Sequence, residues 1–410
     1  MNTFKRLIAH CSFGVALLSG LPSPAISQVI WPGQIATIRP GSPLAHNPQR
    51  KYGRPVGLRE AARATSAAGR APTTSAEGRP AADNATYIEF DVPGSACQAA
   101  FPLCTTPNAI NPAGVVTGFY ADANASLHGF VRNSDGSFIL FDGPGAVCPL
   151  YFYTCTWPSA INPQGEITGY YCDAVTCHGF LRMSDGTITT LDPPGSLLTQ
   201  AASINPAGAI TGSWADANFA FHGFLTTDGS TFTSFDVPAA VNGTIPIGID
   251  QTGAIVGSYY DLNFQAHGFV RASDGAITAF DPTGSIYTFP IGIAPDGTIV
   301  GWYQDDVTFV IYGFLRSKDG TVTTFDVGGI QTYPGSINPA GTVTGNYQGS
   351  TQGFDAFIRD KHGAVTSFDP PGSNPTVSFT FANGINPAGV ITGWYIDSGF
   401  LGHGFIRIPH

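Results

Sequence analysis

Apolar and polar residues alternate in short runs along most of the chain, and Gly or Pro interrupts these runs every few residues. In residues 204–225, INPAGAITGSWADANFAFHGFL, the residues Ile210, Gly212 and Trp214 recur with a period of two, which is the period of a β-strand. The chain contains 51 Gly and 32 Pro, with β-branched and aromatic residues between them, so no segment is predicted to be a helix. The pattern predicts an all-β protein.

Each unit of this pattern contains four short strands joined by recognisable turns. The first strand ends at Asn-Pro-x-Gly, as at residues 205–208, where Pro presets φ and Gly takes the positive φ of a type I turn with a bulge. The second strand leads into a loop of variable length, and the third strand begins with His-Gly-Phe, as at His222. An Asp-Gly turn, as at Asp228, precedes the fourth strand, so the unit is predicted to be a four-stranded antiparallel sheet.

The unit recurs seven times with a period near 45 residues. The Asp that ends the fourth strand recurs at separations of 51, 50, 44, 45, 45 and 43 residues: Asp91, Asp142, Asp192, Asp236, Asp281, Asp326 and Asp369. The turn after the first strand is marked by Asn111, Asn162, Asn205, Asp250, Pro295, Asn338 and Asn386. Four strands in each such period are typical of a β-propeller blade, whereas a β-solenoid has a shorter coil. We therefore predict a seven-bladed β-propeller.

The two ends of the array are complementary parts of one unit. The N-terminal part, residues 87–91, contains only a fourth strand, and the C-terminal part stops after a third strand. The N-terminal strand is therefore predicted to complete the last blade, which removes an exposed strand edge. The predicted blades are 92–142, 143–192, 193–236, 237–281, 282–326, 327–369, and 370–410 plus 87–91.

Two segments precede the predicted propeller, which is assigned to residues 87–410. Residues 1–27 contain basic residues, an apolar run and small residues before Gln28, which is the pattern of a secretory signal peptide. Residues 28–86, rich in Ala, Gly, Pro, Ser, Thr and Arg, are predicted to be a flexible linker. No other segment approaches the roughly 18 apolar residues of a membrane span. We predict a secreted protein, extracellular or periplasmic.

The charge of the repeat region limits its partners. Residues 87–410 contain 8 basic and 25 acidic residues, a net charge of minus 17. Such a surface argues against nucleic acid and anionic membrane as partners. A monomer without a cofactor is expected.

Six cysteines follow the predicted signal peptide and form three close pairs. They are Cys97 with Cys104, Cys148 with Cys155, and Cys172 with Cys177. Short-range disulfides suit an exported protein. Metal binding is the competing interpretation, but no pair has two-residue spacing and none has a His in the same loop. Three disulfides that staple loops are therefore predicted.

The variable loops are expected to share one face of the ring, here called the variable-loop face. They comprise the loops between second and third strands, such as residues 218–221, and the connections between blades. Aromatic residues beside amides and carboxylates suit a sugar or a peptide, although for any single aromatic residue packing beneath the loops is the favoured interpretation. The candidate ligand-binding residues are Tyr153, Trp157, Asn218, Phe219, Phe221, Phe264, Asp305, Asp306, Phe309 and Tyr333.

An Asp and a His flank the loop between the second and third strands in five units. The pairs are Asp122 with His128, Asp173 with His178, Asp216 with His222, Asp261 with His267, and Asp397 with His403. A metal site or an acid/base pair would use these residue types. A pair repeated five times is better explained as a structural clip across the loop, in which Asp accepts a hydrogen bond from the imidazole. No catalytic or metal-binding residue is therefore assigned. Departures from the repeat, such as Asp305-Asp306 with Tyr312, and Gly349 with Asp355, are the more informative positions.

The Ile-Asn-x-x-Gly, Gly-Tyr and His-Gly-Phe elements resemble the HAF-type extracellular repeat family of bacterial secreted proteins, named for a His-Ala-Phe motif. Most units here have Gly at the middle position, as in His128-Gly129-Phe130, and Ala356-Phe357 lies closest to the family form. The resemblance covers residues 87–410 and implies no established activity.

These features predict a secreted propeller that acts as a binding or interaction module. A carbohydrate or cell-envelope ligand on the variable-loop face is the expected partner. The alternatives are an extracellular polysaccharide lyase or glycoside hydrolase with carboxylates near the central channel, and a structural protein that scaffolds others.

Overall fold

The computed structural model describes residues 83–96, 103–147, 156–349 and 353–410. Across these ranges the chain forms 28 β-strands in seven four-stranded sheets, and every pairing within a sheet is antiparallel. The predicted seven-bladed β-propeller is confirmed.

Six blades are continuous in sequence. Blade one contains β2 (Thr105–Ile110), β3 (Val116–Ala121), β4 (Leu127–Arg132) and β5 (Phe138–Phe141). Blade two contains β6 (Thr156–Ile161), β7 (Ile167–Cys172), β8 (Cys177–Arg182) and β9 (Ile188–Leu191). Blade three contains β10 (Leu198–Ile204), β11 (Ile210–Ala215), β12 (Phe221–Thr226) and β13 (Phe232–Phe235).

Blade four contains β14 (Thr244–Ile249), β15 (Ile255–Tyr260), β16 (Ala266–Arg271) and β17 (Ile277–Phe280). Blade five contains β18 (Ser285–Ile293), β19 (Ile299–Asp305), β20 (Ile311–Arg316) and β21 (Val322–Phe325). Blade six contains β22 (Gln331–Ile337), β23 (Val343–Gln348), β24 (Phe354–Arg359) and β25 (Val365–Phe368). Blade seven contains β26 (Thr380–Ile385), β27 (Ile391–Ile396), β28 (Gly402–Pro409) and β1 (Ala85–Phe90).

The Asn-Pro-x-Gly turn has the hydrogen bonds of a type I turn with a bulge. In blade one, the Gly114 amide donates to the Asn111 carbonyl at 3.0 Å, and Gly114 has φ of 79°. The Asn111 side chain also accepts from the amides of Ala113 and Val115. In blade five the residue equivalent to Asn111 is Ala294, because the Gly297 amide donates to the Ala294 carbonyl. The prediction that Pro295 occupies this position was wrong by one residue.

The first strands line the axis and contact both neighbours around a closed ring. Each contains a bulge at the same place, for example between Pro246 and Gly248 in β14. A Cβ on Gly384 would lie 3.4 Å from the Ala109 backbone of the next blade, so small residues are needed here. Hydrogen bonds also join blades at this level, including Asn386 Nδ2 to the Asn111 carbonyl at 3.2 Å.

Blades pack through the Phe of His-Gly-Phe, or the equivalent Phe in blades five and six, and through a stacked Arg. The seven Phe side chains are fully buried: Phe130, Phe180, Phe224, Phe269, Phe314, Phe357 and Phe405. At the end of the third strand, an Arg lies over a Phe ring in the fourth strand of the preceding blade, as Arg132 does over Phe90 at 4.9 Å. Six blades have this cation–π contact, and blade three has Thr226 at the Arg position.

The N-terminal strand completes the last blade, as predicted. β1 pairs with β28 from Ala85 opposite Pro409 to Phe90 opposite Gly404. The strand begins two residues before the predicted boundary at Tyr87, and a buried Asp83 forms an ion pair with Arg407 at 2.5 Å. The Tyr87 hydroxyl also donates to Asp83, at 2.8 Å. The side chains of Asp83, Tyr87 and Arg407 therefore stabilise one end of the β1–β28 pairing, here called the seam.

Candidate functional site: the variable-loop face

The variable-loop face is formed by fourteen segments at one end of the strands. The described residues of the loops between second and third strands are 122–126, 173–176, 216–220, 261–265, 306–310, 349, 353 and 397–401. The described residues of the connections to first strands are 91–96, 103–104, 142–147, 192–197, 236–243, 281–284, 326–330 and 369–379. The opposite face, here called the turn face, carries the Asn-Pro-x-Gly and Asp-Gly turns.

Four loops on the variable-loop face adopt a turn that places a bulky residue at positive φ. In blade three, the Phe219 amide donates to the Asp216 carbonyl at 2.9 Å, and the Asp216 amide donates to Ala220 at 3.0 Å. Phe219, Phe264, Phe309 and Phe400 have φ of 62°, 61°, 58° and 61°, and Ala125 has 61° at the same point of blade one. These are all of the non-Gly residues at positive φ in the described part of the chain.

The turn face uses Gly for the same backbone geometry, as at Gly114 and Gly136, whose φ values are 79° and 90°. An L residue in this left-handed region costs roughly 1 kcal/mol, and more when its side chain is bulky. Backbone strain from non-Gly residues at positive φ is therefore present on the variable-loop face and absent from the described turns of the turn face. Phe219, Phe264 and Phe400 each lie three residues after the loop Asp of their blade. Phe400 was not among the predicted ligand-binding residues, although this spacing is visible in the sequence.

The loop residues expose apolar surface. Phe309 and Phe400 are 59% and 61% exposed, and the neighbouring Val307 is 79% exposed. Of the thirteen large exposed apolar residues in the described part of the chain, all but Ile139 and Leu140 lie in the segments that form this face. Ile139 and Leu140 belong to the outer strand β5.

Charge is divided between the two faces. Fifteen aspartates lie in the variable-loop segments or at the strand ends that adjoin them, and no Lys or Arg does. All eight basic residues of 83–410 are at the turn-face ends of third strands or in the turns that follow, as Arg316 and Lys318 are. The variable-loop face is therefore acidic and apolar at the same time.

Each of the five predicted His residues lies between two aspartates. The loop Asp is 3.4 to 3.7 Å from Nε2, for example Asp173 from His178 at 3.4 Å. The Asp that ends the fourth strand is closer, at 2.7 to 3.0 Å from Nδ1, for example Asp192 from His178 at 2.7 Å. Sequence reasoning missed this second partner, although its separation of 14 residues is constant in four blades.

The loop Asp has a second role that explains its position. Asp216 Oδ1 accepts hydrogen bonds from the amides of Asn218 and Ala220, at 2.8 and 2.9 Å, and so stabilises the strained turn. The hydrogen bond that the imidazole Nδ1 donates to the strand-end Asp raises the pKa of His128 and of His403. The Asp-His-Asp groups thus connect each loop to the outer strand of its blade, and in blade seven His403 makes this connection to Asp91 after β1.

Blade six replaces the His with Asp355 and so brings two carboxyl groups together. Burial raises the pKa of Asp355, and burial together with the Asp355 charge raises the pKa of Asp369 to about 7. The Ser378 hydroxyl donates to Asp369 at 2.8 Å, and the Ser378 carbonyl accepts from the Phe354 amide at 2.7 Å. The pair therefore holds one proton near neutral pH and lies where the connection to blade seven contacts β24.

This pair predicts a stability change with pH. Because the folded-state pKa of Asp369 is raised above 3.8, the stabilisation is complete below pH 3.8 and is lost as the pH rises through about 7. Relative to the double variant Asp355→Asn with Asp369→Asn, the native protein should lose about 2 kcal/mol of unfolding free energy between pH 5 and pH 8, measured by urea denaturation. The raised histidine pKa values act in the same direction but are common to both proteins. Parallel stability curves for the two proteins would refute the shared proton.

The predicted ligand-binding residues fall into two groups. Trp157 stacks on Phe119 at 4.2 Å, Phe221 is 6% exposed, and Tyr333 packs against Trp302 and Phe354, so these three lie between blades. The other group lies in the exposed loops: Phe219, Phe264, Phe309, Asn218, Asp305 and Asp306. Asp305 stabilises its loop by accepting from the Thr308 amide at 2.7 Å. Tyr153 lies outside the described residues.

One predicted disulfide is present in full. Cys172 and Cys177 are bonded across the paired ends of β7 and β8, and Cys104 is also disulfide-bonded. Cys97, Cys148 and Cys155 lie outside the described residues. No group of three or more His, Cys, Asp or Glu side chains suited to a metal ion is found in the described ranges. Nor does any helix in them have the length and hydropathy to cross a lipid bilayer.

The fold is similar to solved propellers at low sequence identity. No family model and no curated protein matches the chain. A catalytically inactive virginiamycin B lyase from Staphylococcus aureus with quinupristin has a TM-score of 0.53 at 15% identity, covering 79% of this chain and 100% of that one. The β-propeller domain of the Trilobed protease from Pyrococcus furiosus, which has an open velcro topology, has a TM-score of 0.50 at 10% identity, covering 74% of this chain and 92% of that one. These likenesses establish that the chain has a β-propeller fold.

Proposed function

We propose that this protein is a secreted binding module of the HAF-repeat type. Its ligand, a carbohydrate or another component of the cell envelope, docks on the variable-loop face. The observation that carries the proposal is the set of four Phe residues held at positive φ, where the equivalent turns of the turn face have Gly. Three of these rings are more than two-fifths exposed, so their packing contributes too little stabilisation to offset the backbone strain. The side chains are kept for contact with a ligand.

Export is supported by the disulfide between Cys172 and Cys177 and by the sequence pattern of residues 1–27. The rigid ring favours binding because it holds the loops in fixed positions, which lowers the conformational entropy lost when a ligand docks.

The test is the triple variant Phe264→Gly, Phe309→Gly and Phe400→Gly. Glycine relieves the strain, so the melting temperature should stay the same or rise by roughly 1 to 3 °C. Binding to the ligand found on a glycan array or in envelope fractions should weaken by at least about 10-fold, since three aromatic contacts are lost.

The matched control is Ile139→Thr with Leu140→Thr, which removes exposed apolar groups from β5 instead. Full binding is expected for this control. Undiminished binding by the triple variant, with the fold intact, would overturn the proposal.

A second candidate function is an extracellular polysaccharide lyase or glycoside hydrolase, favoured by the pair Asp355 and Asp369. A carboxyl group that stays protonated near neutral pH beside a second carboxyl group can act as a general acid. An assay for new reducing ends or unsaturated products on the polysaccharides that bind, with Asp369→Asn as the inactive variant, separates turnover from binding.

A further inference from the structure

We propose that the partner on the variable-loop face is a cationic, amphipathic polypeptide segment, which presents Lys or Arg beside apolar side chains. This inference rests on the proposed function only in placing the ligand on that face, and it identifies the cell-envelope component as a basic protein segment rather than a saccharide.

The first argument is the distribution of apolar surface. Eleven large apolar side chains are exposed on the variable-loop face, and in the described ranges none is exposed in the turns of the turn face. They include aliphatic residues such as Leu262 and Val307, at 73% and 79% exposure, in the same loops as Phe264 and Phe309. Aliphatic side chains form no hydrogen bonds with sugar hydroxyls, but they pack well against the apolar side of an amphipathic segment.

The second argument is charge complementarity. The same face carries fifteen aspartates and no Lys or Arg, so the only titratable cations among them are the five His residues of the Asp-His-Asp groups. The strand-end aspartates remain accessible despite their His contacts: the side chains of Asp236 and Asp91 are each 51% exposed. Asp306 is exposed, and its backbone amide donates to the Gly284 carbonyl at 2.8 Å. A face with exposed carboxylates and exposed apolar side chains attracts a basic, apolar partner and repels anionic partners.

The third argument is that the amides and carboxylates of these loops are already engaged. The Asn218 and Asn263 side chains lie against Asp216 and Asp261, at 3.4 Å in each case. The loop carboxylates in turn accept backbone amides, as Asp261 does from Asn263 and Gln265. A saccharide needs several convergent hydrogen-bonding groups, and these loops use part of that capacity in hydrogen bonds of their own. What the face offers outward is apolar surface and the negative charge of exposed carboxylates.

The experiment measures binding of three synthetic 18-residue peptides to the mature protein by fluorescence anisotropy. One is an amphipathic Leu/Lys peptide, the second has Glu in place of Lys, and the third has Ser in place of Leu at the same positive charge. We expect the Leu/Lys peptide to bind at least about 10-fold more tightly than the Ser-containing peptide, and the Glu-containing peptide not to bind. Raising NaCl from 20 to 300 mM should weaken the Leu/Lys complex by about 10-fold.

Two variants locate the site. Asp306→Asn should weaken Leu/Lys binding by about 3-fold and reduce its salt dependence, whereas Asp319→Asn, which removes one charge from the turn face of the same blade, should leave both unchanged. Equal effects of the two variants, or equal binding of the Leu- and Ser-containing peptides, would overturn the inference.

The outcomes also separate this inference from the proposed function. If no peptide binds but a neutral saccharide or phosphatidylcholine vesicles bind and the Phe→Gly triple variant abolishes that binding, the proposed function stands and this inference falls. If no probe binds in a way that depends on the three Phe residues, both fall.

Discussion

A chain that begins at Val92 is expected to melt at least roughly 15 °C below a chain that begins at Asp83, or to fail to fold. The shorter chain lacks β1, and with it the fourth strand of blade seven. It loses the six paired residues along β28, the packing of Ile88 and Phe90 against the core between blades seven and one, and the Asp83 ion pair to Arg407. Each effect alone is modest, but together they open the ring and expose the edge of β28.

The comparison needs both chains, because a reference that begins at Asp83 separates the effect of β1 from that of residues 1–82. Differential scanning calorimetry of the two truncated proteins gives the measurement. Equal melting temperatures would show that the ring is stable without its seam.

The second large effect is expected for Gly257→Ala in β15. A Cβ at this position would lie 2.2 Å from the Ile245 carbonyl oxygen of the neighbouring strand, and neither backbone can move without separating β14 from β15. We expect a loss of about 3 kcal/mol or more in the unfolding free energy, because the clash is with backbone rather than with a side chain that could rotate. The equivalent Gly118 and Gly212 meet a carbonyl oxygen at 2.1 Å, so the constraint belongs to the fold.

Gly292→Ala is the matched control within the next blade. Its Cβ would contact nothing closer than 3.8 Å, and blades one and two already have Ala109 and Ala160 at this position. Urea denaturation should show a change of less than about 1 kcal/mol for this variant. If Gly257→Ala were as mild as the control, steric exclusion would not explain the repeated Gly of second strands.

The sequence predicts the architecture because its information is local and repeated. Asn-Pro-x-Gly sets a turn through Pro and Gly backbone preferences, and seven copies with complementary ends leave one closed arrangement. The one-residue error at Pro295 arose because blade five has Ala294 where most other blades have the Asn of Asn-Pro-x-Gly. Only Pro295 and Gly297 of the motif remain to mark the turn.

The candidate site is harder to predict because its contacts cross strands. The closer partner of His222 is Asp236 rather than Asp216, and that choice depends on β12 pairing beside β13. The strain at Phe400 depends on a backbone dihedral that no residue preference indicates, since Phe is not a residue that favours positive φ. The division of charge between faces could have been predicted, because the order of strands and turns fixes which end of a blade each charged residue occupies.

The seam also determines how the molecule can be attached to something else. β1 starts and β28 ends at the turn face, where Thr86 Oγ1 and His410 Nε2 lie 2.9 Å apart. Anything joined to Asp83 or to His410 is therefore anchored on the side of the ring away from the loops. A protein immobilised through His410 therefore presents the strained Phe residues away from the support.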